Sequence, residues 1–409
     1  MKSFNNLKQL LSTTGLVALT VVAGSATAQE LSDNTVKIGV LTDMSSLYSD
    51  STGAGSVLAA QMAIDDFGGQ VLGRKIELIS ADHQNKADVA ALTARNWWET
   101  QKVDVIVDLP GSAPAEAVKE VGRELKKIDF ITGAGSSALS NKGCSPYSVH
   151  WNYDTYSNAN TIGPELVKRG FKTWYFITAD YSFGHQLQAD TTAAVEAAGG
   201  KVVGSVRHPA NSSDFSSFVA QAQASGAKMI GLANTGADAL NSLKSMRELG
   251  VLETGQSVEV AVGDSNVYQA LGLDTAKGIL TVIAAYWDLN DETRAFSKRF
   301  FEKQRMMPQQ THMGTYTAVQ HYLQALKAAG TDNSDKVMEA IREIPIRNML
   351  WKEGKVRIDG RAIHEMYLWE GKKPEESKGE WDVLKLVATV SADKAFRPLE
   401  QSECALVRK

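Results

Sequence analysis

The sequence predicts an α/β protein of two lobes, each a doubly wound parallel sheet covered by helices. Three observations predict it. Short apolar runs such as residues 36–41 and 103–109 have the near-continuous hydrophobicity of strands buried on both faces. Each run leads through a loop of small and hydroxylic residues into a segment with helical apolar spacing, an alternation that builds a parallel sheet. The pattern then begins again at Asn160, in a chain of 409 residues, long enough for two cores of ordinary size.

The first unit organises the rest. Residues 36–41 read as a strand, and Ala59, Met62, Ala63 and Phe67 recur at helical offsets over 56–69. The intervening loop carries Ser45, Ser46 and Tyr48. It leaves the carboxyl end of the first strand, where open α/β sheets bind ligands, and is read as the first wall of a cleft. Residues 76–80 make a second strand ending at Asp82, residues 88–100 a helix with Ala91, Leu92, Arg95 and Trp98 at helical offsets, and 103–109 a third strand. In Pro110-Gly111-Ser112-Ala113-Pro114, Ser112 can cap and Pro114 can sit in the first turn of a helix continuing to Leu125. A strand over 130–132 then meets the loop Gly133-Ala134-Gly135-Ser136-Ser137.

In the second lobe a helix over 160–169 precedes a strand over 174–178, and the loop 179–184 opens another helix. Strands follow at 201–206, 229–232 and 258–262, with helices over 215–224 and 237–249. Residues 278–287 read as a long apolar strand returning toward the first lobe, followed by amphipathic helices over 292–304, 316–329 and 335–343. Past Trp351, alternating stretches at 356–358, 365–369 and 383–390 predict strands and hairpins. The expected division is a signal peptide at 1–28, the first lobe at 29–153 and 283–350, the second at 154–282 and 351–380, and a C-terminal tail at 381–409.

Lys2 and Lys8, an apolar stretch over 10–22 and Ala26-Thr27-Ala28 have the form of a secretory signal peptide, so the mature chain is expected to begin at Gln29. A membrane anchor is the alternative. The apolar stretch is short, Thr20 and Gly24 interrupt its neighbourhood, and no later stretch reaches transmembrane length. The net charge of −4, with signs scattered along the chain, argues against a nucleic-acid partner. An exported chain with two cysteines, Cys144 and Cys404, is expected to join them, with two free thiols as the alternative. A disulfide closing so long a loop contributes about 5 kcal/mol in the chain-entropy model, less any native strain.

Enzyme signals are weak. Gly53-x-Gly55-x-x-Leu58 imitates a dinucleotide fingerprint, but the third glycine is missing and the first lies far beyond the strand. Gly263-Asp264-Ser265 resembles a hydrolase nucleophile with Asp359 and His364 as partners, yet no base stands nearby. Neither His312 and His321 nor His364-Glu365 has metal-ligand spacing with a second histidine. No catalytic residue, cofactor or metal is expected, and tryptophans such as Trp97-Trp98 read as core packing.

Several motifs, in order, resemble the periplasmic solute-binding proteins of the leucine/isoleucine/valine-binding type, the type I periplasmic binding proteins that serve ABC importers. The resemblance covers nearly all of the mature chain. It rests on Val36-Lys37-Ile38-Gly39-Val40 with Gly53-Ala54-Gly55 and Ala59-Ala60, on Val71-Leu72-Gly73-Arg74-Lys75-Ile76, on Gly135-Ser136-Ser137, on Asp180-Tyr181-Ser182-Phe183-Gly184, and on Gly314-Thr315-Tyr316. Within the family it is most similar to a branch associated with aromatic acids.

The resemblance implies two lobes joined by three crossovers that close on a small, partly apolar carboxylate in the periplasm. It also implies delivery to an ABC permease by a monomer. Ser112, Gly135 and Ser136 match positions that hold the ligand carboxylate, and helix N-termini suit an anion independently. Tyr181 and Phe183 match positions covering the ligand's side chain, and Asp238 the acidic partner of a ligand ammonium. Asn234-Thr235-Gly236 departs from the usual pattern there, so Asp238 is either that partner or a helix cap. With the carboxylate free the ligand is a hydrophobic amino acid; otherwise a pocket of Tyr48, Tyr181, Phe183 and Trp287 suits an aromatic acid. Ser45, Asn234 and Asp264 complete the ligand-binding candidates. Alternatives are a binder of short-chain amides or urea, a sensory receptor domain of the same fold and, less favoured, a hydrolase.

Overall fold

The computed structural model describes residues 31–408. The expected signal peptide lies outside them. In chain order, β1 (Thr35–Thr42), α1 (Gly53–Phe67), β2 (Gln70–Val71), β3 (Arg74–Asp82), α2 (Ala87–Glu99), β4 (Val105–Asp108), α3 (Ser112–Leu125), β5 (Ile128–Ile131) and β6 (Ser148–His150) build the first lobe. Their sheet has six strands in the order β2-β3-β1-β4-β5-β6, parallel except for the β2–β3 pair. Val36, Ile38, Val40 and Leu41 of β1 are fully buried, as a strand covered on both faces requires. The chain winds to one side of β1 and then to the other, so the strand order reverses between β1 and β4. That reversal opens a crevice at their carboxyl ends.

The second lobe begins with α4 (Thr155–Lys168), β7 (Thr173–Ala179), α5 (Ser182–Ala197), β8 (Lys201–His208), α6 (Ser216–Ala224), β9 (Met229–Ala233) and α7 (Gly236–Glu248). It continues through β10 (Ser257–Val260), α8 (Ser265–Leu271), α9 (Leu273–Ala276) and β11 (Leu280–Ile283). The chain then returns to the first lobe as α10 (Asp291–Gln304), α11 (Gln310–Ala329), which packs on α1, and α12 (Ser334–Glu343). A hairpin of β12 (Gly354–Val356) and β13 (Ala362–His364), then β14 (Met366–Gly371), β15 (Leu384–Val390) and α13 (Ala392–Ala395) end the chain. The second sheet has seven strands, β15-β14-β11-β10-β9-β7-β8, and reverses its winding between β7 and β9. The two lobes are thus doubly wound α/β units connected near 151–154, 284–290 and 344–365.

Several expected elements shift. The apolar stretch over 278–287 pairs only as β11, inside the second sheet, because Ala284 donates its N–H to the Gln310 side chain instead of continuing the ladder. Its hydrophobicity reflects the burial of Ala284, Ala285 and Tyr286 in the crossover. Helix α4 starts at Thr155, ahead of the expected 160, since Asp154 and Ser157 form a capping box. Residues 354–364 lie against the first lobe, where Arg361 bridges His150, so the return to the second sheet begins at Met366 and not at 351. The stretch 384–390, expected within a tail, is an edge strand of that sheet.

Trp151, fully buried, anchors the first connection. Its ring meets Phe130, His321 and Trp351 at 5.6, 5.0 and 5.9 Å, and its N–H bonds Thr317 at 3.0 Å. Cys144 and Cys404 form the expected disulfide, with Cα atoms 5.6 Å apart. Asn141 reinforces it by accepting from the Glu403 N–H at 2.7 Å.

Candidate functional site

The two winding reversals face each other, and the loops after β1, β4, β5, β7 and β9 meet between them. After β1, the buried Asp43 carboxylate accepts the Ser46 and Tyr48 N–H groups at 2.9 and 3.0 Å and the Ser46 hydroxyl at 2.6 Å. The chain is thereby wound around one side chain, and Tyr48 is carried to the opposite lobe. After β4, Asp108 and Leu109 both have positive φ, 84° and 54°, a costly conformation for non-glycine residues. Their turn is held by the Thr132 and Gly133 N–H groups on the Asp108 carbonyl at 2.9 and 3.0 Å.

Gly111 caps α3 at φ 81°, and a Cβ there would meet the Asn85 side chain at 2.2 Å. Ser112 is therefore the first helical residue and not the cap. Its hydroxyl oxygen accepts the Ser136 N–H at 3.2 Å, which leaves its own proton available. The Ser136 hydroxyl is buried without a partner among the described residues. Two hydroxyl donors therefore stand beside the α3 N-terminus, whose first N–H groups have no intrahelical acceptor.

The second lobe supplies the other wall. Tyr181 precedes the first residue of α5, and its hydroxyl lies 2.9 Å from that of Tyr48. Burial raises both phenols far above their ordinary range, so both stay protonated and one proton of the pair remains free to donate. Phe183 stacks on Tyr181 with centroids 6.2 Å apart. A Cβ on Gly135 would approach the Tyr153 ring to 2.8 Å and the Phe183 ring to 2.9 Å, so only glycine fits there. Gly236, at φ 61°, brings the loop after β9 against the Leu47 carbonyl.

Tyr48, Gly111, Ser112, Gly133, Ala134, Gly135, Tyr153, Phe183 and Thr235 enclose a cavity of 10 Å³. That is room for about one water, so the lobes are closed on each other and must part to admit a larger guest. Neither a carboxylate nor a lysine, arginine or histidine is among its lining residues. Of the residues expected from sequence, Tyr48, Ser112, Gly135 and Phe183 line this space, while Ser136 and Tyr181 bond directly to members of it.

The other candidates stand back. The Ser45 hydroxyl is bound to Asp82 at 2.5 Å. Asn234 donates to His208 and Ser242 at 3.0 and 3.1 Å. Asp238 lies in the first turn of α7 and caps nothing there; its two oxygens accept the Asn211 and Ser212 N–H groups at 3.2 and 3.1 Å. Burial raises its pKa, and the nearby His208 and these N–H groups oppose the rise. Asp264 precedes α8 beside Ser51 and Gln310, with one oxygen unpartnered among the described residues and a pKa pushed by burial up to about 6. Trp287 donates its N–H to the Trp381 carbonyl at 2.8 Å and packs on Tyr286.

Tyr153 lies outside the stretches expected to line the site, whereas Thr235 falls within one of them, Asn234-Thr235-Gly236. Tyr153 sits among fold-determining aromatic residues in a crossover, and the only hint was an aromatic residue next to the Asp154 cap. Ser265, the hydrolase-like serine, bonds Gln309 at 3.0 Å, while His364 stacks on Trp351 at 3.6 Å and Asp359 pairs with Arg357. These three groups do not meet as a catalytic set.

Two lobes with facing winding reversals, three connections and a closed polar-aromatic space between them define a hinged ligand-binding protein. Residues 35–379 match the family model described as periplasmic binding protein. A solved periplasmic binding protein from Burkholderia mallei is 44% identical with a TM-score of 0.89, over 91% of this chain and 99% of that one. A branched-chain amino acid ABC transporter periplasmic ligand-binding protein from Burkholderia xenovorans is 38% identical with a TM-score of 0.83, over 91% of this chain and 100% of that one. A solute-binding protein of an ABC transporter from Rhodopseudomonas palustris, in complex with 3,4-dihydroxybenzoic acid, shares the fold with a TM-score of 0.80 at 20% identity, over 88% of this chain and 98% of that one. The chain belongs to the periplasmic binding protein family.

Proposed function

We propose that this protein is the periplasmic substrate-binding component of an ABC importer and that it captures an aromatic monocarboxylate between its lobes. The observation that carries the reading is the lining of the cavity. The free protons of Ser112 and Ser136 and the α3 N-terminus offer neutral donors to a carboxylate, Tyr48, Tyr153 and Phe183 offer aromatic surface, and no charged side chain lines the space. An anion held by neutral donors in a water-excluding site gains from each hydrogen bond. A ligand phenol or ring edge fits the tyrosine pair. The moving bodies are the units built on the two sheets, and the ligand acts by binding the closed arrangement better than the open one.

A second reading, a branched-chain amino acid, is favoured by the unpartnered oxygen of Asp264 and by the name of the Burkholderia xenovorans relative. Its ammonium would need Asp264, or Asp238 released from its backbone partners.

Thermal-shift and calorimetric titration with benzoate, 4-hydroxybenzoate, leucine, valine, acetamide and urea separates the readings. Aromatic acids are expected to raise Tm and to bind with measurable heat. Stabilisation by leucine or valine alone selects the second reading. A panel in which only sugars or cationic amines act rejects both.

A further inference from the structure

Helix α5 of the second lobe lies along the loop that follows β5 in the first. Phe183 and Asp190 stand about two turns apart on one face of that helix. A Cβ on Gly135 would meet the Phe183 ring at 2.9 Å, and further along the same loop Ser137 meets Asp190. The Asp190 residue is 8% exposed, and its Oδ2 accepts the Ser137 hydroxyl at 2.7 Å and the Thr155 hydroxyl at 2.6 Å. Its Oδ1 accepts the Gln186 side-chain amide at 3.1 Å and lies 3.7 Å from the Arg397 guanidinium.

A hydroxyl has one proton to give and lone pairs with which to accept. Because the Thr155 proton goes to Asp190, the Thr155 oxygen is free to accept the Ser137 N–H, which it does at 3.0 Å. The Thr155 N–H donates to the Gly135 carbonyl at 2.7 Å. Gly135 and Ser137 are thus both tied to the second lobe, one on each side of Ser136.

Ser136 between them serves the cleft. Its N–H is on the Ser112 hydroxyl oxygen at 3.2 Å, and its own hydroxyl is buried without a partner among the described residues. Rotation of the Ser137 peptide would take the Ser136 N–H off Ser112 and release the direction of the Ser112 proton. Asp190 does not line the cleft cavity, so it acts on these donors only through Ser137 and Thr155.

We propose that Asp190 is a positioning residue of the ligand site. From the second lobe it holds the Gly135–Ser137 loop of the first, so that the Ser112 and Ser136 donors come into register for the ligand carboxylate as the lobes close. The inference rests on the carboxylate reading of the cleft.

Two measurements test it. In the ligand-free protein, hydrogen exchange read by mass spectrometry should show the segment 133–140 exchanging about 5-fold faster or more in Asp190→Ala. Unchanged exchange there would overturn the proposal. With 4-hydroxybenzoate as probe, stopped-flow kinetics should show Asp190→Ala and Ser137→Ala each releasing the ligand about 5-fold faster with the association rate kept. The double variant should lose little more than Asp190→Ala alone, because both changes break one chain of bonds. A merely structural carboxylate would lower Tm and leave the release rate unchanged, and that result, or losses that simply add, would overturn the proposal. Ser137→Ala removes one hydroxyl and keeps the Ser137 N–H bond, so it tests the chain even where Asp190→Ala folds poorly. A wild-type protein that binds no aromatic acid would reject the carboxylate reading, and the exchange comparison would still decide whether Asp190 holds the loop.

Discussion

The hydroxyls of Tyr48 and Tyr181 lie 2.9 Å apart and join the two lobes across the cleft, independently of any ligand. Each residue reaches this point from the loop that follows the first strand, in chain order, of its lobe's sheet. Closure is thus partly encoded in the protein, and the ligand adds to an arrangement that already has contacts of its own.

Tyr181→Phe removes this bond and leaves the Tyr48 hydroxyl buried. A net contribution of about 1 kcal/mol per hydrogen bond predicts roughly 5-fold weaker ligand binding, measured by calorimetry with the best acid of the panel. Small-angle scattering of the ligand-free variant should show a larger radius of gyration. Unchanged affinity and shape would mean that the pair does not hold the lobes together.

Gly135→Ala sets a methyl group against Tyr153 and Phe183. Overpacking of this kind costs about 1–3 kcal/mol, and here it acts on the closed form in which both rings approach. The expectation is a loss of affinity of about 5- to 150-fold with a smaller change in Tm, read from paired calorimetric and thermal-melt data.

Asp238→Asn keeps one acceptor for the Asn211 and Ser212 N–H groups and replaces the other by an NH2 donor that faces an N–H. Stability should fall by about 1–2 kcal/mol in urea unfolding, while affinity for an aromatic acid changes less than about 3-fold. A collapse of binding would place this carboxylate on a ligand cation and support the amino-acid reading.

Glu259 in β10 is 1% exposed, one of its oxygens has no partner among the described residues, and burial pushes its pKa from 4.5 up to about 8. The folded protein retains a proton that the unfolded chain releases above its ordinary value. This contribution to stability is full below about pH 4.5, declines as pH rises toward 8, and is gone above it, with a slope of at most about 1.4 kcal/mol per pH unit. Glu259→Gln should flatten the decline between pH 5 and 8, tested by urea unfolding of both proteins across that range.

Cys404→Ser opens the loop closed with Cys144. Since the bond lies in the tail and not in the cleft, the expected result is a loss of about 2–5 kcal/mol of stability with ligand affinity retained.

The sequence by itself determined the alternation of strand and helix, and with it the two doubly wound lobes. That is because a strand covered on both faces must be apolar throughout and a covering helix must carry a stripe, and both patterns are local. It also determined which loops leave the carboxyl ends of the strands, and so pointed to Tyr48, Ser112, Gly135, Tyr181 and Phe183. What it could not determine was the direction of each polar side chain. Ser45, Asn234 and Asp238 sit in the same loops, yet Asp82, His208 and two backbone N–H groups take them. Those partners lie 26 to 37 residues away along the chain, so only the folded arrangement brings them together. The same holds for the length of β11, which ends where Gln310 captures the Ala284 N–H, and for Tyr153, which long-range packing brings from a crossover to the wall of the cleft. Local pattern sets which elements form, whereas competition among distant partners for each buried polar group decides which residues are left to meet a ligand.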